Sequence, residues 1–204
     1  MDSIDKILEG VPDKQLRWKG TTSLKWKREL LEYFLDKKII NTLEIGTNQG
    51  WTSYVLSHLS NNVFTVESSH HNYEQAKIHC ASLDNIEFIL GDAYNDSTYK
   101  KTPEFFDLCV VDCRHDYVSV RKDIARCLYY AEPDKDLYIA FDDYSHPEST
   151  GVRKAIDELL KEDPDITLER YIGHEEGHTV TREDGSTFTL IGPEGLILKY
   201  RDEY

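Results

Sequence analysis

Between residues 41 and 143 the chain alternates short apolar runs with segments of helical length, and this alternation narrows the possible folds more than any other feature. The runs are "NTLEIG" (41–46), "NVFTVE" (62–67), "IEFILGD" (86–92), "FFDLCVVD" (105–112) and "DLYIAFDD" (136–143). Helix-length stretches at 51–60, 72–82, 118–131 and 151–162 separate or follow them. Ahead of the first run, "WKRELLEYFLDKK" (26–38) places Leu30, Leu31, Phe34 and Leu35 at helical spacing. Strands that alternate with helices predict a parallel sheet with crossover helices. The end of the chain departs from the pattern: "ITLERYIG", "STFTL" and "GLILKY" follow closely with Gly/Pro turns between them. Such spacing suits antiparallel strands at a sheet edge. The expectation is an α/β chain with a doubly wound, mostly parallel, Rossmann-like sheet and an antiparallel C-terminal hairpin. Residues 1–40 form a helical leading segment and 41–204 the main domain.

Composition limits what such a chain can do. At 204 residues there is room for one well-buried core. The longest apolar runs are strand-length, so no membrane span is expected. "MDSIDKILEG" lacks the basic and apolar regions of a secretory signal and reads as a short amphipathic helix. Cys80, Cys109, Cys113 and Cys127 form no CxxC pair, which points to free thiols and a cytoplasmic, reducing setting. The net charge of −14 opposes nucleic-acid binding. A local exception is residues 11–40, where eight Lys/Arg face four acids; a solvated helix face accounts for this more simply than an anionic partner.

In a doubly wound sheet, ligands bind beyond the carboxyl ends of the strands. The first strand ends in "LEIGTNQGWTS", with Gly46 and Gly50 bracketing a tight loop before a helix N-terminus. The dinucleotide pattern G-x-G-x-x-G has Asn48 at its middle glycine here, which weakens an NAD reading. Strand two ends at Glu67, whose carboxylate can accept hydrogen bonds from both hydroxyls of a ribose, and strand three ends beside Asp92. Strand four ends at Asp112 and strand five at Asp142 and Asp143. Three carboxylates at neighbouring strand tips repel unless a cation joins them. Oxygen donors favour Mg²⁺ or another hard divalent cation. The alternative is that Asp143 caps a turn, Asp142 faces solvent and Asp112 starts a helix.

These residues resemble those of the class I S-adenosylmethionine-dependent methyltransferases, over about residues 40 to 200. The resemblance implies that a motif like "EIGTNQG" wraps the methionine part of the cofactor, that Glu67 holds the ribose hydroxyls and that Asp92 lies by the adenine. Gly46, Gly50, Glu67 and Asp92 thereby become cofactor candidates, with Glu44 and Ala93 as weaker ones, and 41–204 the cofactor-binding catalytic domain. An Asp at the strand-four tip, followed thirty residues later by Asp-Asp, is similar to the metal-dependent O-methyltransferases of the catechol and macrolide-sugar types. In that group the residue three after the first Asp is the general base; here it is His115. A free imidazole titrates near neutrality and can take a hydroxyl proton. The implied reaction is methyl transfer to a hydroxyl of a small molecule, with Mg²⁺ on Asp112, Asp142 and Asp143 chelating a sugar, catechol or other vicinal diol. An RNA ribose methyltransferase and a cofactor-binding relative without metal-dependent transfer are the rivals. With little room for a specificity domain, an exposed cleft or one closed by a second subunit is expected.

Other residues carry less. "HEEGH" (174–178) matches the zinc-protease pattern as text, but its glycines oppose the helix that this chemistry needs. Trp51 is expected to pack in the core and His70 and His71 to face solvent ahead of a helix. Trp18 and "RWKGTTSLK" (17–25) are placed to fold over the site. Arg114, Asp116 and His146 are neighbours of the acidic tips without an assigned role.

Overall fold

A computed structural model describes residues 3–11, 22–181 and 185–202. Trp18, Lys14, Arg17, Lys19 and most of the 17–25 stretch lie outside these residues. The ordered elements begin with α1 (Ile4–Glu9) and α2 (Leu24–Phe34), each opened by a serine N-cap, Ser3 and Ser23, whose hydroxyl accepts a first-turn N–H. The alternating region then runs β1 (Ile39–Ile45), α3 (Trp51–Ser57), β2 (Ser60–Glu67), α4 (His70–His79), β3 (Ile86–Leu90), β4 (Leu108–Val111), α5 (Tyr117–Tyr129), β5 (Leu137–Phe141) and α6 (Thr150–Glu162). The chain ends in β6 (Ile166–Ile172), β7 (Thr179–Thr181), β8 (Thr187–Thr189) and β9 (Gly195–Tyr200).

Seven strands form the main sheet in the order β3-β2-β1-β4-β5-β9-β6. Strands β1 to β5 pair in parallel, while β9 runs antiparallel to both β5 and β6. The expected edge arrangement is therefore more specific in fact: the last strand slots inside, and β6 takes the edge. "STFTL" joins neither; its Thr187–Thr189 pairs with Thr179–Thr181 in a separate two-stranded hairpin. Helix α4 starts at His70, capped by Ser69, so the two histidines open the helix, exposed, rather than precede it.

Strand β4 explains why "LCVV" is apolar without alternation. Cys109 and Val111 face a core shared with α5 and α6, while Leu108 and Val110 face a second core with α1, α2 and α3. A central parallel strand buried on both faces needs apolar side chains at every position. The second core contains Ile7, Leu8, Trp26, Leu30, Leu31 and Phe34 beside Val63, Ala140 and Ile197, so the leading helices cover one face of the sheet. Among the described residues no helix is long and apolar enough to cross a membrane.

Candidate active site

The parallel strands bring the tips of β1, β2, β4 and β5 together, and the loop after β1 is the most constrained of them. Gly46 has φ +104°, and a Cβ there would overlap the carbonyl oxygen of Asp112 at the β4 tip. Only glycine lets the two strand ends approach this closely. Asn48 (φ 48°) and Gly50 (φ +84°) also take left-handed backbone. Asn48 thus adopts a conformation that asparagine tolerates better than most residues. The Gly46 and Thr47 N–H groups both donate to the Val66 carbonyl. Glu67 accepts from the N–H of Asn48 at 2.8 Å and of Ser69 at 2.7 Å, one on each carboxylate oxygen. Each oxygen retains a lone pair, so hydroxyl donors can still be accepted.

Glu44 lies beneath this loop, fully buried on β1. One carboxylate oxygen accepts from Ser53 and, at 2.6 Å, from Thr65, while the other is buried without a partner. Burial pushes its carboxyl up to about 7. Beyond β3, Asp92 is exposed and accepts from the Tyr94 N–H at 3.0 Å; Ala93 is buried, its carbonyl accepting from the Tyr99 hydroxyl. Trp51 packs in the core and stacks on His79 at 4.2 Å.

At the tips of β4 and β5, Asp112, His115 and Asp143 offer ligand atoms within 4.8 Å of one another. His115 Nε2 lies 3.5 Å from Asp112 Oδ1 and 3.3 Å from Asp143 Oδ2. The Asp112 carboxylate beside it is the main cause that raises the His115 imidazole above its usual range, against the opposing effect of burial. Burial first, then the Asp112 charge, raises Asp143 to about 6. Asp143 has φ 56°, and this left-handed step separates its side chain from that of its neighbour. Asp142 continues the sheet ladder through its N–H to Val111 O and is itself buried; its Oδ1 has no partner. Burial, reinforced by Asp143 and Asp112, holds its carboxyl well above the usual range. Of the three carboxylates read as one ligand set, the structure converges Asp112 and Asp143 with His115, and sets Asp142 behind them. The two hard carboxylate oxygens, partly buried, suit a divalent cation, and the imidazole stands beside them.

The leftover neighbours acquire structural work. Asp116 is the N-cap of α5, accepting from Ser119 N at 3.0 Å, and Arg114 is exposed over the Tyr94 ring. Ser149 Oγ lies 3.5 Å from Asp143 Oδ2 and 3.4 Å from His146 Nδ1, and Phe188 of the hairpin packs on His146 at 4.3 Å. "HEEGH" forms turns with left-handed Gly173 and Gly177, and its histidine rings stack at 3.6 Å, so no helical zinc site exists there. Two more residues stand close by: Glu194, which the sequence reading passed over, and Lys27, which it counted in a solvated helix face and which is in fact fully buried. Glu194 takes the Ser23 N–H and hydroxyl and the His174 N–H. Lys27, fully buried on α2, has its ammonium on the carbonyl and hydroxyl oxygens of Thr22. The visible signal for Lys27 was its place one turn before Leu31 on the apolar side of α2; Glu194, in a Gly/Pro turn, gave none.

A family model described as a methyltransferase domain matches residues 43–144. The fold is shared with an O-methyltransferase from Bacillus cereus solved with SAH, at 19% identity and TM-score 0.68 over 99% of this chain and 92% of that one. It is shared too with the O-methyltransferase TomG from Streptomyces achromogenes solved with SAM (18%, 0.64, 98% and 90%). An rRNA methylase from Streptococcus thermophilus is also similar (15%, 0.59, 85% and 92%). No curated protein matches the sequence.

Proposed function

The chain belongs to the methyltransferase-domain family, and on that premise we propose that it moves a methyl group from S-adenosylmethionine to a hydroxyl of a small molecule with the help of Mg²⁺ or a similar cation. The observation that carries this reading is the contact between two sites: the glycine loop of β1 presses on the backbone of Asp112, one corner of the Asp112–His115–Asp143 cluster. A cofactor held by the loop would present its methyl group beside that cluster. Structures of named O-methyltransferases with SAM or SAH support the choice of cofactor.

In this reading Gly46 and Gly50 shape the loop around the methionine part. Glu67 holds the ribose hydroxyls, with Asp92 and Ala93 beside the adenine and Glu44 supporting the loop from below. Asp112 and Asp143 hold the cation, with Asp142 behind them. When bound, such an ion lowers the pKa of an acceptor hydroxyl and orients it. His115 Nε2 takes the hydroxyl proton, which requires the neutral imidazole. A covering role for the leading segment is supported, among its described residues, by Trp26 Nε1, which donates to Phe141 O at 3.2 Å, next to Asp142. The net charge of −14 favours a small acceptor such as a sugar, catechol or other vicinal diol over RNA.

The test is methyl transfer to a panel of catechols and sugar diols, with Mg²⁺ and with a chelator. Transfer that survives chelation unchanged would remove the metal from the mechanism. Transfer to none of the diols, with RNA methylated instead, would overturn the acceptor class.

A further inference from the structure

The chain carries a net charge of −14, yet the walls of one cavity reverse that sign. It measures about 520 Å³ and lies between α5 and the connection from β3 to β4, which contains a short 3₁₀ turn, Asp96–Tyr99. Lys100, Lys122 and Arg126 line it against a single acid, Asp96. Lys122, Ala125, Arg126 and Tyr129 follow one another at helical spacing, so one face of α5 forms a wall. Tyr99 and Tyr130 belong to the buried core and make a firm aromatic base, their ring centroids 6.1 Å apart. Tyr129, by contrast, is 75% exposed. The cations sit over rings: Arg126 lies 4.5 Å from the Tyr99 centroid and Lys122 5.6 Å from that of Tyr94. Arg126 pairs with Asp96, which is itself exposed, so an incoming anion can take its place. Among the described residues no carboxylate pairs with Lys100 or Lys122. Ala125 contributes only a methyl to the exposed wall, and the space it leaves is part of the cavity.

A ligand that suits these walls has a flat ring to lie against tyrosine and several negative charges for cations spread over two elements. A single carboxylate would satisfy one of the three cations, whereas a phosphate chain can reach them together. The volume falls within the range of small-molecule sites, about 300–1,000 Å³. We propose that this cavity binds a nucleoside polyphosphate, its base against the tyrosines and its phosphates across Lys100, Lys122 and Arg126. The site is separate from the one assigned to S-adenosylmethionine and does not rest on that assignment. The two share a wall, because the Tyr99 hydroxyl donates to the Ala93 carbonyl at 3.0 Å. A test must therefore tell one from the other.

The deciding experiment is calorimetric titration of the full chain with ATP at low ionic strength, in chelator and in saturating SAH. Chelator prevents a metal ion from bridging phosphate to the Asp112–Asp143 cluster, and SAH fills the assigned cofactor site. ATP should bind once per chain, at least about tenfold tighter than adenosine or inorganic triphosphate. Lys122→Glu and Ala125→Glu should each weaken ATP by about tenfold or more, with melting temperature and SAH affinity near those of wild type. Both positions are exposed on α5, so both variants should fold. Lys161→Glu, exposed on α6, is the control for charge reversal elsewhere and should bind ATP as wild type does. Absence of ATP binding in wild type, or unchanged binding in the two α5 variants, overturns the proposal. So does an equal loss in Lys161→Glu, which would mark a diffuse charge effect. Triphosphate binding as tightly as ATP overturns the nucleoside class, and ATP displaced by SAH overturns the separate site. A wild-type protein that binds ATP but not SAH counts against the cofactor reading instead, and the α5 variants still decide the cavity.

Discussion

Two left-handed glycines show how much a single position can matter. Gly46 (φ +104°) faces the carbonyl of Asp112, whereas Gly185 (φ +81°) faces open space. Alanine at Gly185 meets only the left-handed backbone penalty, about 1–2 kcal/mol, and should leave activity intact. Alanine at Gly46 adds a backbone collision that has no flexible partner to absorb it. Its expected cost is above about 4 kcal/mol in chemical denaturation, with SAH binding lost in any folded fraction. His115→Ala should bind SAH normally while methyl transfer falls roughly 10²–10⁴-fold; unchanged turnover would end its assignment as base. Because Asp112 raises the His115 pKa, the rate should decline as pH drops from above neutrality into the acid range. Glu44 offers a stability test with the opposite chemistry. Its carboxyl is raised from 4.5 to about 7 by burial, so the folded state holds a proton that the unfolded state releases between those values. That stabilisation is complete below pH 4.5 and disappears as pH rises through 7, a difference of about 3 kcal/mol. Glu44→Gln should therefore gain melting temperature relative to wild type from pH 5 to pH 8; a constant difference would refute the buried-acid account. At this scale the sequence was informative where a residue type had few possible uses, as with Asp112 and His115 at a strand tip. It was least informative for Glu194, whose partner Ser23 lies 171 positions away.

Elements were legible wherever local periodicity and burial agreed. Strands β1, β2, β4 and β5 appeared at their places because each is buried on at least one face, and the half-buried edge strand β3 because its run is still apolar; "LCVV" is buried throughout. What periodicity cannot state is strand order. Nothing local in "GLILKY" distinguishes an edge from an interior antiparallel strand, yet its GLIL portion is buried, as an interior place requires. The three-residue strands β7 and β8 are too short to carry a pattern. Helix α2 was read from its apolar spacing; beside its apolar contacts with β5, one indole N–H ties it to the β5 backbone. Trp26→Phe keeps the ring and removes that donor, leaving a buried carbonyl at Phe141 with less compensation. The expected loss is about 1–3 kcal/mol of folding stability, measured by urea unfolding, together with weaker Mg²⁺ binding if α2 steadies the neighbouring Asp142 and Asp143.

For the molecule as a whole, the acid excess seen in composition concentrates its consequences at one place, the strand tips, where like charges and burial meet. Any cation that binds only the folded cluster should stabilise the protein by mass action, about 2.7 kcal/mol at a concentration one hundred times its dissociation constant. A thermal shift with millimolar Mg²⁺ in wild type, absent in Asp112→Asn and Asp143→Asn, is the expected pattern. The two cores on either side of the sheet, one closed by α1 and α2, make the leading helices part of the same packed body that the alternating pattern announces. The inward place of β9 has a further effect, on the order in which a ribosome delivers the fold. Strands β1 to β5 can pair as they emerge, but β6 has no neighbour in the sheet until residues 195–200 arrive. Until then the growing chain presents two unsatisfied strand edges, on β5 and on β6, and such edges recruit other chains. Co-translational protection by a chaperone would matter most in that last interval, and a stop codon just before Gly195 should give a product that aggregates more than the full chain.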